Sequence, residues 1–380
     1  VAFHTILYFF LLYLYHGCED IMKKTPFFTF ESDKIAQNFR NFTSALPEVQ
    51  IRYALKSSPL SDIASTLDDL GCGFEVASKS ELAQLLSLDV DVAKIIFSNP
   101  VKKIEDIKYA HKKGIKIFAC DSFEEVHKLA DNAPGCSVLI RIKVYERGSV
   151  FSLKDKFGVE ERSVPALVKA ILGAGLVFEG ISFHVGSQSL KLNTWKYALE
   201  KVLRIQSTLA SKSIFIQTLN IGGGFPWSYR GQKAPTVADI ADVINPYLRK
   251  IKPKNVYAEP GRYLVASAAT LTASIIHRTV RDGKTWLYLD AGTYNALFEA
   301  MTFQGATSYH VTALGVHDKR TSLYTLAGPT CDSIDTITEN ARLPQDLQVG
   351  DRLVFSDVGA YSYGLSSGFN GFATPKIYFE

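Results

Sequence analysis

The stretch Gln50–Phe97, QIRYALKSSPLSDIASTLDDLGCGFEVASKSELAQLLSLDVDVAKIIF, sets the pattern for most of the chain. Its apolar runs Gln50–Lys56, Phe74–Ala77 and Lys94–Phe97 are short, rich in β-branched and aromatic residues, and read as strands. Between them, Leu60–Leu70 and Ser80–Leu88 carry apolar residues at helical spacing. The alternation continues downstream. Strands are expected at Ile115–Cys120, Ser137–Ile142, Phe178–His184, Ile214–Ile221 and Asn255–Ala258. Helices are expected at Lys103–Lys113, Phe123–Ala130, Val164–Leu172, Trp195–Leu209 and Val237–Leu248. The strands are nearly continuous in apolar character, as expected where both faces are buried. Eight strands alternating with helices predict an α/β fold, a (β/α)8 TIM-like barrel, with a doubly wound open sheet as the alternative architecture.

After Arg262 the period changes. Leu264–Val280, Trp286–Leu289, Thr321–Leu326, Arg352–Phe355 and Lys376–Phe379 read as strands with little helical signal between them. The expected organisation is an apolar leader over residues 1–25, a barrel over 26–262 and a mainly β domain over 263–380. Within the leader, Ile6–Tyr15 is an unbroken apolar run. At 1.5 Å per residue it would span about 15 Å, half of a bilayer core. It reads either as a leader ahead of a domain that starts near Met22 or as an anchor at a membrane surface.

The 380 residues are 47% hydrophobic and 21% charged, which excludes extended disorder. With 42 basic and 38 acidic residues the net charge is +4, too balanced for a dedicated nucleic-acid binder. Five widely spaced cysteines, Cys18, Cys72, Cys120, Cys136 and Cys331, fit a reducing, cytoplasmic setting and form no zinc-type motif. The eight His include no metal-ligand cluster, so no metal is expected. The lysine-rich stretch Lys102–Lys116 reads as a solvated helix face.

Catalytic groups in such a barrel gather at the carboxyl ends of the strands. The first strand ends in Lys56, and the sixth in His184 followed by Val185-Gly186-Ser187. The seventh runs into Gly222-Gly223-Gly224, and the eighth into Glu259-Pro260-Gly261-Arg262. Three consecutive glycines are by themselves an ordinary turn signal. After the seventh strand they also let backbone N–H groups approach an anion, and Arg262 adds a planar fork suited to phosphate. Lys56 is either a strand-end lysine snorkelling to water or an amine facing the same cavity. An amine, a phosphate site and a carboxylate are the set that pyridoxal phosphate requires.

These residues resemble a known family. YALK (Tyr53–Lys56), GFEVAS (Gly73–Ser78), SFHVGSQ (Ser182–Gln188), NIGGGFP (Asn220–Pro226), AEPGR (Ala258–Arg262), AGPTCDS (Ala327–Ser333), GAY (Gly359–Tyr361) and FNGF (Phe369–Phe372) follow the order of the fold-type III, alanine-racemase-like pyridoxal-phosphate decarboxylases that act on ornithine, lysine or arginine. SFHVGSQ and NIGGGFP look most like the bacterial ornithine/lysine branch. The resemblance implies decarboxylation of L-ornithine or L-lysine to a diamine in polyamine synthesis. It also implies a homodimer with shared active sites, a small-molecule amino-acid substrate, and neither nucleic-acid nor membrane partners. In that family's terms Lys56 would carry the pyridoxal 5′-phosphate, and His184 would stack on its ring. Ser187, Gly224, Gly261, Arg262 and Tyr361 would hold its phosphate, with Gly222, Gly223 and Pro260 also binding the cofactor. Glu259 would pair with the ring nitrogen. Cys331 would return a proton after loss of carbon dioxide, and Asp332 would bind the distal amine. Glu75 and Arg141 would support them.

Racemases resembling this barrel place an arginine against the ring nitrogen, so Glu259 favours decarboxylation. The departures lie at the far end of the substrate. Thr302 and Phe303 stand where relatives have an acidic contact, and Glu299 nearby belongs to a different family position. Ser57-Ser58 follow Lys56 where an asparagine is usual, and Glu75 stands where many relatives have aspartate. Arginine, diaminopimelate or a siderophore intermediate as substrate, racemisation, or a non-catalytic homologue that binds a decarboxylase are the other readings.

Overall fold

The computed structural model describes residues 23–145, 149–151, 156–302, 309–316 and 319–380. Eight parallel strands close a barrel: β2 (Gln50–Ala54), β3 (Gly73–Val76), β4 (Ile95–Phe97), β5 (Ile117–Cys120), β6 (Ser137–Arg141), β8 (Val177–Ser182), β10 (Thr218–Asn220) and β11 (Asn255–Ala258), with β11 pairing back onto β2. Two other short strands, β7 (Ser149–Phe151) and β9 (Ser187–Ser189), pair with each other on the rim. The closed barrel settles the choice between barrel and open sheet.

Burial explains why these runs are strands. Both faces of β3 and β4 are covered, and the Phe97 and Phe118 rings stack at 5.9 Å. The helices are capped where the sequence changes period. Ser78 Oγ accepts from the Glu81 N–H and Ser122 Oγ from the Glu125 N–H, each at 3.2 Å, contributing about 1 kcal/mol per cap. The helix Leu192–Ala210 buries Trp195, Leu199, Val202, Ile205 and Leu209 at spacings of three and four, so one stripe faces the barrel.

The second unit is built on β12 (Ala269–Arg281), which pairs with β13 (Lys284–Leu289) on one side and β17 (Arg352–Ser356) on the other. The sheet is extended by β14 (His310–Ala313), β15 (Thr321–Ala327) and β16 (Thr336–Pro344). It also takes in β1 (Phe27–Phe30), paired with β12 and with β18 (Lys376–Phe379).

Three expectations are corrected. Residues 27–30 lie in this second sheet rather than the barrel, because Phe27, Phe28 and Phe30 are buried there between β12 and β18. The run from Leu264 does not enter the strand directly. Arg262–Val265 is a short helix, and β12 begins at Ala269. Lys102 is not on a solvated face: its side chain is fully buried, pairs with Glu125 at 2.8 Å and donates to the Ala119 carbonyl. Helical charge spacing begins only with the helix Ile104–Lys112, and Lys102 precedes it.

The apolar run Ile6–Tyr15 lies outside the described residues. Among those described, no helix is long and apolar enough to cross a membrane.

Candidate active site

Lys56 occupies a 3₁₀ turn, Leu55–Ser57, where β2 ends. The register of β2 with β3 sets Ala54 opposite Glu75. The Lys56 ammonium therefore meets the Glu75 carboxylate, with Nζ 2.8 Å from Oε2. The lysine side chain is 45% exposed and the glutamate 4%, so the amine projects into open space from a buried anchor. Burial works against the ammonium charge. Glu75, the Tyr361 phenol and Glu259 outweigh it and hold Lys56 above its ordinary value.

Glu259 follows β11 and is nearly buried. Ser98, just past β4, and Asn220, ending β10, both donate to its Oε1, at 2.5 and 2.7 Å. Oε2 has no hydrogen-bond partner among the described residues, and Glu259 lines the cleft that contains Lys56. Burial pushes its carboxyl up and Glu75 adds to that, while Lys56 and the two donors act against it. His184 lies two residues beyond β8, and its Nδ1 accepts from the Gly186 N–H at 2.9 Å. Burial, with the Arg141 and Lys56 cations, holds the imidazole well below its usual value, so it is neutral at neutral pH.

Beside these groups runs a backbone cradle, of which Gly224 and Gly261 line the cleft. Asn220 Oδ1 accepts from the Gly222 N–H at 2.9 Å, so one asparagine ties the loop to the carboxylate. Gly222 has φ +66°, and a Cβ there would lie 1.9 Å from the Phe183 carbonyl oxygen. At Gly223 a Cβ would meet His184 Nε2 at 2.8 Å. Only glycine permits this path. Phe225, next in the chain, wedges against Trp195 at 4.6 Å and Phe42 at 4.8 Å and pins the loop to the helices outside. Arg262 lies beside the cradle. Its Nη2 is 3.4 Å from Ser187 Oγ, and its guanidinium carbon is 4.8 Å from the Tyr361 ring centroid. Tyr361 comes from the second unit, and its N–H donates to the Ser57 carbonyl at 2.7 Å.

A sequence profile described as "Pyridoxal-dependent decarboxylase, pyridoxal binding domain" matches residues 32–266. The chain belongs to the pyridoxal-dependent decarboxylases. It is 34% identical to the lysine/ornithine decarboxylase of Selenomonas ruminantium, over 94% of this chain and 90% of that protein. Among solved structures it is similar to the lysine/ornithine decarboxylase of Vibrio vulnificus complexed with putrescine. That match has a TM-score of 0.86 and 30% identity, covering 94% of each chain. The arginine decarboxylase of Paramecium bursaria Chlorella virus superposes with a TM-score of 0.88 at 26% identity, covering 94% of this chain and 96% of that one.

The residues of this decarboxylase fit its pyridoxal 5′-phosphate cofactor. The cleft offers a half-exposed primary amine, a carboxylate oxygen without a hydrogen-bond partner, and a glycine cradle in which a Cβ would obstruct the backbone. A guanidinium lines the same cleft beside Ser187. Gly261 also sits tight, since a Cβ there would lie 2.8 Å from Ser57 Cβ. Pro260 joins Glu259 to that glycine. Arg141 ends β6, with its guanidinium 5.0 Å from the Phe157 ring centroid.

Gly222, Gly223, Pro260 and Arg141 are not among the cleft's lining residues, and two further expected residues lie apart from the cluster altogether. Cys331 and Asp332 lie in the connection from β15 to β16, outside the cleft's lining. Cys331 is exposed, and Asn370 Oδ1 accepts from both its N–H (3.2 Å) and its thiol (3.3 Å). Asp332 Oδ2 accepts from the Tyr294 hydroxyl at 2.7 Å, and its Oδ1 from the Ile334 N–H. The Thr302 side chain and Phe303 lie outside the described residues.

The sequence reading missed Ser98, Asn220 as a ligand of Glu259, and Asn370. Ser98 follows a barrel strand directly, and that position is a usable signal. Asn370 lies inside the FNGF motif, which marked the segment but not its partner, because only the chain's return to Cys331 supplies that contact. It did not assign Tyr229 and Glu299, both bonded to Arg262.

Proposed function

We propose that this chain decarboxylates a basic amino acid, L-ornithine or L-lysine, to the corresponding diamine. The observation that carries it is Glu259. It is a buried carboxylate held on one oxygen by Ser98 and Asn220, with the other oxygen left for a donor in the cleft. When bound, the cofactor supplies a protonated pyridine ring that takes up the electron pair left at Cα as carbon dioxide departs. Glu259 Oε2 would accept from the ring N–H and so keep the electron demand of the ring high. Lys56 presents the amine that anchors the cofactor's aldehyde carbon. Glu75 Oε2, at hydrogen-bond distance, orients the Lys56 ammonium and holds its charge. His184 stays neutral and offers a flat face without adding repulsion to the ring cation. Gly224, Gly261, Ser187, Arg262 and Tyr361 hold the phosphate.

Cys331 and Asp332 act on a partner's site. Both are outside this chain's own cleft, on the second unit, which fits a homodimer whose sites are completed across the interface. Cys331 Sγ delivers the proton to Cα, and Asp332 meets the distal ammonium. The relatives whose names include lysine, ornithine or arginine decarboxylase support the substrate class.

Initial rates of carbon dioxide release from L-ornithine, L-lysine, L-arginine and diaminopimelate, with chiral analysis of recovered substrate, test the reading. Ornithine or lysine is expected to be turned over fastest with a diamine product. Recovery of racemised substrate without carbon dioxide would overturn it.

A further inference from the structure

Arg262 is almost wholly buried, with a side chain 3% exposed, and a buried guanidinium requires a partner. It has one that the phosphate reading did not use. Glu299, from the short helix Phe298–Thr302, grips the guanidinium with both carboxylate oxygens. Oε2 accepts from Nη1 at 2.6 Å, and Oε1 accepts from Nη2. Tyr229, in the loop that carries the glycines, accepts from the same Nη1 at 2.7 Å. Glu299 is 4% exposed and does not line the cleft, whereas Arg262, Ser187 and Tyr361 do. The fork is thus held edge-on from outside the cleft, and the corner of Nη2 that lies beside Ser187 Oγ is the one presented inward.

We propose that Glu299 is a positioning residue for the cofactor's phosphate, fixing the Arg262 guanidinium so that one N–H of Nη2 faces the glycine cradle. This rests on the assignment of Arg262 to the phosphate. The physical case is that a bidentate carboxylate sets both the plane and the rotation of a guanidinium, which a single hydroxyl cannot do. The opposite effect has a physical case too. A carboxylate beside a phosphate site cancels part of the attraction, so Glu299 could instead compete for the guanidinium. The two effects predict opposite signs.

The test uses the full-length protein and equilibrium dialysis, with pyridoxal 5′-phosphate and phosphate-free pyridoxal as the two probes. Glu299→Gln keeps the shape but loses the charge-assisted grip. It should weaken binding of pyridoxal 5′-phosphate about 10–100-fold, as loss of an outer partner does at metal ligands, and leave pyridoxal unchanged. Adding Glu299→Gln to Arg262→Met should bring no further loss. Should Glu299→Gln prove insoluble, Glu299→Asp, which retracts the charge by one methylene, is read in the same way. Unchanged or tighter binding in the variant, or equal loss for both probes, overturns the proposal. If Arg262→Met keeps the preference for the phosphorylated probe, the phosphate assignment itself has failed. If Arg262→Met loses it while Glu299→Gln keeps it, only the role of Glu299 has.

Discussion

A single amine carries the proposed chemistry. Among the described residues Lys56 is the one lysine in the cleft's lining, and Glu75 holds its charge. Lys56→Ala is expected to lower turnover by more than about a thousandfold, since the cofactor's covalent anchor is gone. Borohydride reduction of the wild-type holoenzyme followed by peptide mapping should label residue 56, and a label on any other lysine would refute the assignment. His184 gives a pH prediction. Its folded value lies well below the ordinary 6.5, so below that pH the unfolded chain binds a proton that the folded one refuses. Stability from this group is present above about pH 6.5 and is lost as pH falls below it, by up to about 1.4 kcal/mol per pH unit. Glu259 acts in the opposite direction. Its raised value means that stability is lost as pH rises above the ordinary carboxylate value of 4.5. The comparison of His184→Phe with wild type between pH 5 and 7 (about that range) isolates the histidine. Cofactor-free His184→Phe should lose less thermal stability on acidification than wild type, and parallel curves would contradict the neutral histidine.

The glycine loop shows how an element's geometry depends on what lies behind it. Gly222–Gly224 lacks side chains with which to brace itself, and Phe225 does so through Trp195 and Phe42. Phe225→Ala should cost about 3–5 kcal/mol, because the aromatic wedge is 1% exposed and its neighbours cannot all collapse into the gap. Denaturant titration measures that cost. The same variant should also bind pyridoxal 5′-phosphate more weakly, because the cradle loses its brace. A stability loss with unchanged cofactor affinity would show that the loop holds its shape without the wedge. Strand positions were legible from periodicity because each barrel strand is buried on both faces. The start of β12 was not, because Leu264, Val265, Ala266 and Ala268 are as apolar as a strand yet form helical turns.

The two units meet at the site within one chain through Tyr361, whereas Cys331 and Asp332 lie apart from the cleft's lining. The homodimer reading turns that separation into a measurement. Neither Lys56→Ala nor Cys331→Ala protomers should be active alone, since each homodimer lacks one half of every site. Mixed at equal amounts with subunit exchange, they should recover about a quarter of wild-type activity, since half of the dimers pair randomly into mixed species with one intact site each. No recovery, despite demonstrated exchange, would mean that sites are not shared.

The eight alternating strands, the strand-end lysine, the three glycines after the seventh strand and the Glu259–Arg262 segment were legible in the sequence alone, whereas closure of the strands into a barrel rather than an open sheet was decided by the tertiary structure. Each legible feature is a local signal: a period of burial, a strand end, or a residue type with one conformational use. What only the tertiary structure decided depends on residues far apart in the chain. Phe27–Phe30 is four apolar residues that any sheet could accept, and pairing with β12 and β18 places it in the second unit. Lys102 resembles its solvated neighbours in composition, and only packing buries it against Glu125. Glu299 looked like a bystander until its helix brought it onto Arg262, 37 residues away. A buried charge is identified by its partner, and no period in the chain records who that partner is.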